Sequence, residues 1–407
     1  MRILVVGADY PWPETGGSRL RLSNTLTALA RSNEVDFVSI VPETRDSSDF
    51  APPPQDLDLA RVLKVPVDLS RQSLGSMLRT AFRSSNPLEL PSAPAQAVKE
   101  ALDRLAENRY DLLWCFTVRA WEWAGEPRSA PAIVDIDDLE DQKILERLSL
   151  PRNRDGSSAS LPSTVRRHLG DTYFRLEAKR WQSIHRRISR RAVPVLCSET
   201  DVRRSALANA RVVPNGYRAP ATPRGHLVVG GEPTVLFQGT LRYPPNSDAA
   251  RFLSFDVAPR LRDLVPGARI RLAGTPPADP QAFDPAFVTV VGRVDDMGDE
   301  LAKADIVAVP LRFGSGTRIK ILEAFAHRVP VVATSLGAEG LDVRHGTHLL
   351  IADGVDEFAS ACASLLTDAE LRRTLVDRAH ALYLERYELS VVEGQIDSLA
   401  TEVSRGR

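Results

Sequence analysis

The run Arg312-Phe313-Gly314-Ser315-Gly316-Thr317-Arg318-Ile319-Lys320-Ile321-Leu322-Glu323-Ala324-Phe325-Ala326, followed by Val329-Pro330-Val331-Val332-Ala333-Thr334, decides how this chain is read. The stretch Asp305 to Leu311 before it and Val329 to Ala333 after it have the length and composition of strands buried on both faces. Between them the sequence predicts a glycine-containing loop running into a helix. Such a loop presents unpaired backbone N–H groups and the positive end of the helix dipole, a site suited to phosphate. Arg318 and Lys320 add full positive charge beside Ser315, Gly316 and Thr317. Glu323, on the same short helix, can accept from paired hydroxyls such as a ribose diol. Phosphate plus a sugar diol describes a nucleotide, although a glycine loop between strand and helix is also ordinary α/β punctuation.

Outward from this segment, short apolar runs alternate with helical patterns from end to end, which predicts βα units and parallel sheets. In the first half the runs are Ile3 to Val6, Val35 to Val41, Arg61 to Val67, Leu112 to Phe116, Ala132 to Ile136, Val193 to Leu196 and Arg211 to Val213. In the second they are Thr234 to Phe237, Arg269 to Ala273, Val288 to Val291, Ile306 to Leu311, Val329 to Ala333 and His348 to Ile351. The expected fold class is therefore α/β, with two Rossmann-like doubly wound parallel sheets. At 407 residues the chain exceeds what one core usually supports. Tyr217 to Pro233, rich in Pro and Gly and without an apolar period, reads as a linker and hinge. The expected division is residues 1–216, a linker at 217–233, a second domain at 234–385 and a helical tail at 386–407.

A formal net charge of −1 excludes a global field for nucleic acid. Cys115, Cys197 and Cys362 are far apart and form no disulfide framework or zinc motif, so a reducing cytoplasm is expected. The N-terminal apolar run Ile3 to Val6 is too short for a signal peptide, and no run reaches the roughly 18 apolar residues of a membrane span. Two irregular stretches, Pro42 to Asp56 and Ser149 to Ser163, have the length of lids or disordered loops. The helical segment 165–191 carries Val165, Leu169, Tyr173, Leu176, Ile184 and Ile188 at helical spacing. Its other faces hold nine Lys and Arg residues against Asp171 and Glu177. That pattern fits a solvated face, or peripheral contact with an anionic membrane, where each cation contributes about 1 kcal/mol.

Three more loops carry polar chemistry. After the first strand, Tyr10-Pro11-Trp12-Pro13-Glu14-Thr15-Gly16-Gly17-Ser18-Arg19-Leu20-Arg21 places paired glycines before an amphipathic helix, either for close ligand approach or for a positive φ. Arg21 can meet a phosphate or Glu14. Val134-Asp135-Ile136-Asp137-Asp138-Leu139-Glu140 ends another strand in carboxylates; Asp137 or Asp138 can bind a hydroxyl, or Asp138 can cap the next helix. Asp135-Ile136-Asp137 is formally an Asp-x-Asp metal triplet, discounted for want of its usual structural context. Ser198 with Asp201 forms a capping box.

The opening segment resembles the signature of family 4 retaining glycosyltransferases, glycosyl transferases group 1. It matches the subgroup that reads Gly-Thr-Arg-x-Lys-x-Leu-Glu-Ala before a Pro-Val-Val strand. The resemblance extends through Gly337 to Leu341, His348 to Asp353 and, upstream, Pro214-Asn215-Gly216. It implies the GT-B fold, two Rossmann-like domains facing a cleft, with the C-terminal tail packing back on the first. It also implies transfer of a sugar from a nucleotide-diphosphate donor to a hydroxyl acceptor with retained configuration, with no metal and no cofactor. Carried over residue by residue, Arg318 and Lys320 are the catalytic diphosphate stabilisers and Glu323 the ribose ligand. Ser315, Gly316 and Thr317 form the phosphate cradle, while Gly239, Gly274 and the Gly292 to Val294 turn are donor-side loops. Gly16, Gly17, Arg21, Asp137 and Asp138 stand on the cleft and acceptor side.

The sequence departs from the family's pattern in three places. Phe237-Gln238-Gly239-Thr240-Leu241-Arg242-Tyr243-Pro244-Pro245-Asn246 lacks the Lys that many relatives carry there, which transfers the charge duty to Arg318 and Lys320. Ser315 stands where many members have a Glu for the donor sugar, and Asp137 stands where many have a His. These departures leave open a sugar-nucleotide epimerase of the same architecture and a non-catalytic nucleotide-sensing or scaffold subunit. An NAD-dependent oxidoreductase is disfavoured, since no G-x-G-x-x-G follows the first strand.

Overall fold

The structure, a computed structural model, describes residues 1–45, 49–68, 87, 90, 95–106, 109–127, 129–149, 163–221, 232–276, 283–314 and 318–406. The chain forms two compact units, Met1–Pro214 with Glu393–Arg407, and Asn215–Val392. Residues 222–231 of the expected linker, much of the 149–163 stretch and the loop residues Ser315, Gly316 and Thr317 lie outside the described residues.

In the first unit, strands β1 (Arg2–Gly7), β2 (Glu34–Pro42), β3 (Arg61–Val67), β4 (Leu112–Phe116), β5 (Ala132–Asp135), β6 (Val193–Leu196) and β7 (Arg211–Val212) form one sheet. Their order is β3-β2-β1-β4-β5-β6-β7, and every pairing is parallel. The strands read as nearly unbroken apolar runs because helices cover both faces of a parallel sheet; β4, Leu-Leu-Trp-Cys-Phe, is buried at every position. In the second unit, β8 (Thr234–Gln238), β9 (Arg269–Ala273), β10 (Val288–Gly292), β11 (Ile306–Val309), β12 (Val331–Ala333) and β13 (Leu350–Ile351) take the order β10-β9-β8-β11-β12-β13, again all parallel. Each predicted apolar run thus forms a strand of the predicted kind. Both sheets reverse their winding after the first strand laid down, between β1 and β4 and between β8 and β11. Ligands of doubly wound sheets bind outside the carboxyl ends of the strands at such a switch point.

The helices that matter for the site follow from local chemistry. Helix α1 (Gly17–Ala30) begins after Gly16, whose φ of 115° is a left-handed value open to glycine. Ser198 accepts from the Asp201 amide at 3.1 Å and starts the helix Glu199–Ser205, as its capping box predicts. Helix α2 (Pro244–Arg251) opens on Pro244, where a missing N–H costs nothing. Helix α3 (Ile319–Ala326) follows β11 and buries Ile321, Leu322, Ala324, Phe325 and Ala326, leaving Lys320 and Glu323 on its other face.

The long helix α4 (Ser163–Ser189) corrects one expectation. Its buried stripe consists of Glu177, Ala178, Trp181, Ile184, His185 and Ile188, whereas Leu176 is 46% exposed. Val165 and Leu169 belong to the part of the helix whose side chains are outside the described residues. Tyr217, at the entry to the second unit, is tied to its exit. Its N–H donates to the Tyr387 carbonyl and its carbonyl accepts from the Leu389 amide, both at 3.0 Å, and from the Tyr383 hydroxyl at 2.8 Å. Residues Glu393–Arg407 pack with the first unit, through Arg211 to Glu402 at 2.9 Å and Asn33 to Asp397 at 3.2 Å.

Candidate functional site

In the second unit Gly239, Gly274, Gly292, Arg318, Lys320 and Glu323, all proposed from sequence, lie toward the carboxyl ends of β8, β9, β10 and β11. Gly239 and Gly274 follow β8 and β9, Gly292 ends β10, and the three join these neighbouring strands rung by rung. The Gly239 amide donates to the Ala273 carbonyl at 2.8 Å, and the Gly274 amide to the Gly292 carbonyl at 2.7 Å. Gly274 has φ of +127°, and a Cβ there would lie 2.1 Å from the Gly239 carbonyl oxygen. Glycine is required because two backbones touch.

The loop after β11 is held from both sides. Arg312 donates to Asp248 at 2.8 Å and lies 5.2 Å over the Phe252 ring. A Cβ on Gly314 would sit 3.0 Å from Pro245, so the loop rests on the Pro-Pro start of α2. Arg318 is buried and donates to the carbonyls of Gly314 at 2.6 Å and Leu336 at 3.1 Å. Its guanidinium therefore ties Gly314 to the turn after β12, itself fixed by Thr334 accepting from the Gly337 amide at 2.9 Å.

One turn into α3, Lys320 and Glu323 share a half-buried face. Lys320 Nζ donates to Asn246 Oδ1 at 3.2 Å and lies 5.8 Å from the Phe237 ring. Burial, reinforced by the charge of Arg318 and opposed by that of Glu323, pushes its ammonium down to about 8. Glu323 accepts from the side-chain amide of Gln238. Burial, offset in part by Lys320, pushes its carboxyl up to about 7. Two ionisable groups on one helix face are thus drawn toward neutrality from opposite ends, the pattern expected where a charged, hydrogen-bonding ligand supplies the missing solvation. Gln238 is 2% exposed, and its Oε1 has no hydrogen-bond partner among the described residues.

The first unit holds a second cluster at the ends of β1 and β5. Arg21 is buried and engages Asp135: its Nε lies 3.0 and 2.9 Å from the two carboxylate oxygens, and the Asp135 side chain is buried as well. The first carboxylate of the Asp-x-Asp triplet is thereby engaged, and among the described residues no group of three His, Cys, Asp or Glu could hold a metal ion. Asp137 adopts φ of +57°, uncommon for a residue with a side chain. Its amide donates to Asp135 Oδ1 at 3.3 Å, its carbonyl accepts from the Cys197 thiol at 3.2 Å, and Ser18, in the first turn of α1, hydrogen-bonds its carboxylate. Burial and the neighbouring Asp138 push that carboxyl up to about 7. Asp138 pairs with Lys143. Gly16 and Gly17 lie at the start of α1, beside Ser18.

The stretch Pro42 to Asp56 is pinned over the β1 loop where it is described. The Ala51 amide donates to the Trp12 carbonyl at 3.1 Å, Phe50 packs edge-on to Tyr10, and Arg45 pairs with Asp9. Sequence reasoning missed Asn246, Gln238 and Asp135 as parts of these clusters. The signal for Asn246 lies in the Tyr-Pro-Pro-Asn run, where the sequence lacks the family's lysine.

This architecture, two Rossmann-like α/β units each with its own switch point, is the GT-B fold, as similarity to solved structures also shows. Sucrose-phosphate synthase from Thermosynechococcus elongatus superposes with a TM-score of 0.71 at 15% identity, covering 100% of this chain and 99% of that one. Anabaena HepE in complex with UDP-glucose superposes at 0.63 with 18% identity, covering 99% and 100%. Residues 232–368, which contain the whole donor-side cluster, match the family model of the glycosyl transferases group 1. Among curated relatives, an exopolysaccharide phosphotransferase of Streptomyces coelicolor is 26% identical over 214 residues, 49% of this chain and 21% of the relative. Phosphatidyl-myo-inositol mannosyltransferase of Mycobacterium leprae is 35% identical over 126 residues, 29% of this chain and 33% of the relative. The chain thus spans a third or less of the curated relatives it matches.

Proposed function

We propose that the protein is a retaining, metal-independent glycosyltransferase that moves a hexosyl unit from a nucleotide-diphosphate sugar to a hydroxyl acceptor. The observation that carries this is the Lys320 and Glu323 pair, placed on the first turns of α3 beside the β8/β11 switch point, within the segment that matches the group 1 glycosyltransferases. In the transfer, the bond from the anomeric carbon to the diphosphate oxygen breaks while the acceptor oxygen bonds to that carbon on the same face. The acceptor proton passes to the departing diphosphate. Charge grows on that leaving group, and a preplaced ammonium in a half-dry site stabilises it far more than a solvated one. Lys320 takes this role, Arg318 shapes the loop whose amides cradle the phosphates, and Glu323 accepts from the ribose hydroxyls. Gly239, Gly274 and the Gly292 to Val294 turn bring backbone close to the nucleotide. Asp137 and Asp138 orient the acceptor hydroxyl, with Gly16, Gly17 and Arg21 supporting them.

The likeness to HepE bound to UDP-glucose favours a uridine nucleotide, and the names of the curated relatives favour a polymer- or lipid-linked acceptor. Among the described residues no helix is long and apolar enough to cross a membrane. Arg175, Lys179 and Arg186 on α4, with Arg190 just after it, form an exposed stripe beside Leu176, which suits peripheral contact with an anionic membrane at its cytoplasmic face. Arg187 and Arg191 are instead engaged with Glu122 and Glu126.

Calorimetric titration with UDP, GDP, dTDP and ADP, repeated on Lys320→Ala, tests the assignment. Selective binding of one nucleotide, lost in the variant, supports it. Binding of none of the four by the unaltered protein overturns it.

A further inference from the structure

We propose that Asn246 is a positioning residue: its side-chain amide, anchored on the Thr240 carbonyl, holds the Lys320 ammonium over the end of β8 and so sets where the donor diphosphate is neutralised. The inference rests on the donor assignment above, and it explains what occupies the place of the absent lysine near Pro244.

A lysine head group hangs on four rotatable carbons, and freezing it in one place at the moment of reaction is costly unless the protein has already done so. Here the freezing agent is visible. Asn246 is 6% exposed, its Nδ2 donates to the Thr240 carbonyl at 3.1 Å, and its Oδ1 accepts from Lys320 at 3.2 Å. The two partners fix the orientation of the amide, because a carbonyl can only accept and an ammonium can only donate. Space for the arrangement comes from Gly239. A Cβ there would lie 2.8 Å from Asn246 Nδ2 and 3.1 Å from Lys320 Cε.

Asn246 is itself rigidly placed. It sits in the first turn of α2, where its amide donates to the Tyr243 carbonyl at 3.0 Å, and its neighbour Pro245 packs on Gly314. One short segment, Tyr243-Pro244-Pro245-Asn246, therefore braces Gly314 with its proline and the cation with its asparagine. The choice of a neutral amide has a consequence for charge. An aspartate at this position would hold the ammonium equally well but would cancel its charge, whereas an amide holds it and leaves the full positive charge for the diphosphate. The other groups facing Lys320 are the carboxyl of Glu323, which favours the ammonium, the guanidinium of Arg318, which opposes it, and the Phe237 ring.

These relations give opposite titration shifts with the same sign of affinity change. Asn246→Ala removes an acceptor from the ammonium, so Lys320 becomes easier to deprotonate. Asn246→Asp, isosteric with the native residue, makes it harder. Both weaken UDP binding, the first by loss of placement and the second by loss of net charge, each by about tenfold, as expected for a hydrogen bond to a charged group.

The test follows Lys320 directly by competitive acetylation with mass-spectrometric readout across the neutral and alkaline range, in the full chain without ligand, alongside UDP calorimetry. The expected result is a lower Lys320 midpoint in Asn246→Ala, a higher one in Asn246→Asp, and weaker UDP binding in both. An unchanged midpoint in folded Asn246→Ala overturns the proposal. So does an unchanged midpoint in the isosteric Asn246→Asp, which decides the matter if the alanine variant does not fold, and so do shifted midpoints with unchanged UDP affinity. The acetylation readout needs no nucleotide, so failure of the unaltered protein to bind UDP, GDP, dTDP or ADP is seen separately as failure of the donor assignment.

Discussion

Arg21 and Asp135 form a salt bridge out of contact with water, with the guanidinium Nε 3.0 and 2.9 Å from the two carboxylate oxygens, and this pair ties α1 to the end of β5. Removing one partner leaves a buried charge with no compensation, a loss of about 3–5 kcal/mol. Arg21→Ala should therefore lower the urea midpoint of the first unit's transition sharply. The double substitution Arg21→Met with Asp135→Leu should recover most of the loss, because replacing a buried pair by apolar side chains is often neutral.

The Lys320 and Glu323 pair sets a pH window for the donor. Glu323 titrates near 7, above its usual value, so the folded state binds the extra proton and loses stability as pH rises from the ordinary carboxyl range through about 7. Lys320 titrates near 8, below its usual value, so the folded state regains stability as pH rises from about 8 toward the ordinary lysine value. Between those values both groups carry charge at a cost to the unliganded protein, and that is the form suited to a diphosphate and a ribose diol. UDP affinity measured by calorimetry should peak between about pH 7 and 8 and fall on both sides. In Glu323→Gln the acid limb should disappear while the alkaline limb remains.

Gly274→Ala places a methyl group 2.1 Å from the Gly239 carbonyl oxygen at a backbone angle unsuited to alanine. Backbone cannot yield there without breaking the rungs between β8, β9 and β10. A destabilisation of about 3 kcal/mol or more is expected, read as a lower thermal midpoint. Gly16→Ala, with no described residue within 4 Å of its Cβ, should cost only the φ strain, about 1–2 kcal/mol.

The exposed cations on and just after α4 should govern any attachment to lipid. Exchanging Arg175, Lys179, Arg186 and Arg190 for Gln should reduce sedimentation with phosphatidylglycerol vesicles by up to roughly a thousandfold in partition, at about 1 kcal/mol per cation. Binding should weaken as salt is raised. Equal binding to phosphatidylcholine vesicles by the unaltered protein would show that the stripe is not the determinant.

The sheets were legible in the sequence because parallel strands buried on both faces read as apolar runs, and nothing else in this chain produces runs such as Leu112 to Phe116 or Ile306 to Val309. The donor-side glycines were legible because each stands at a strand end with a positive φ, although only at Gly274 does a neighbour's backbone pass too close for a side chain. Partner choice was not legible. Arg21 selects Asp135, which is 114 residues away, and Asn246 selects Lys320, which is 74 residues away; only the folded sheet brings either pair together. Leu176 misled because helical spacing identifies a stripe but not which of two adjacent stripes faces the core. Trp181 and His185 define the stripe that does.

The tie at Tyr217 joins the two points where the chain enters and leaves the second unit, while the first unit recruits Glu393–Arg407 from beyond it. The order of synthesis is therefore not the order of completion. The half made first lacks its last helical segment until Glu393 and the residues after it are available, whereas the half made second holds all of its own residues once Val392 is free. Domains fold as units, so a released chain ending at Val392 should already resist protease over the described parts of Asn215–Val392, while Met1–Pro214, lacking Glu393–Arg407, should be cut more readily.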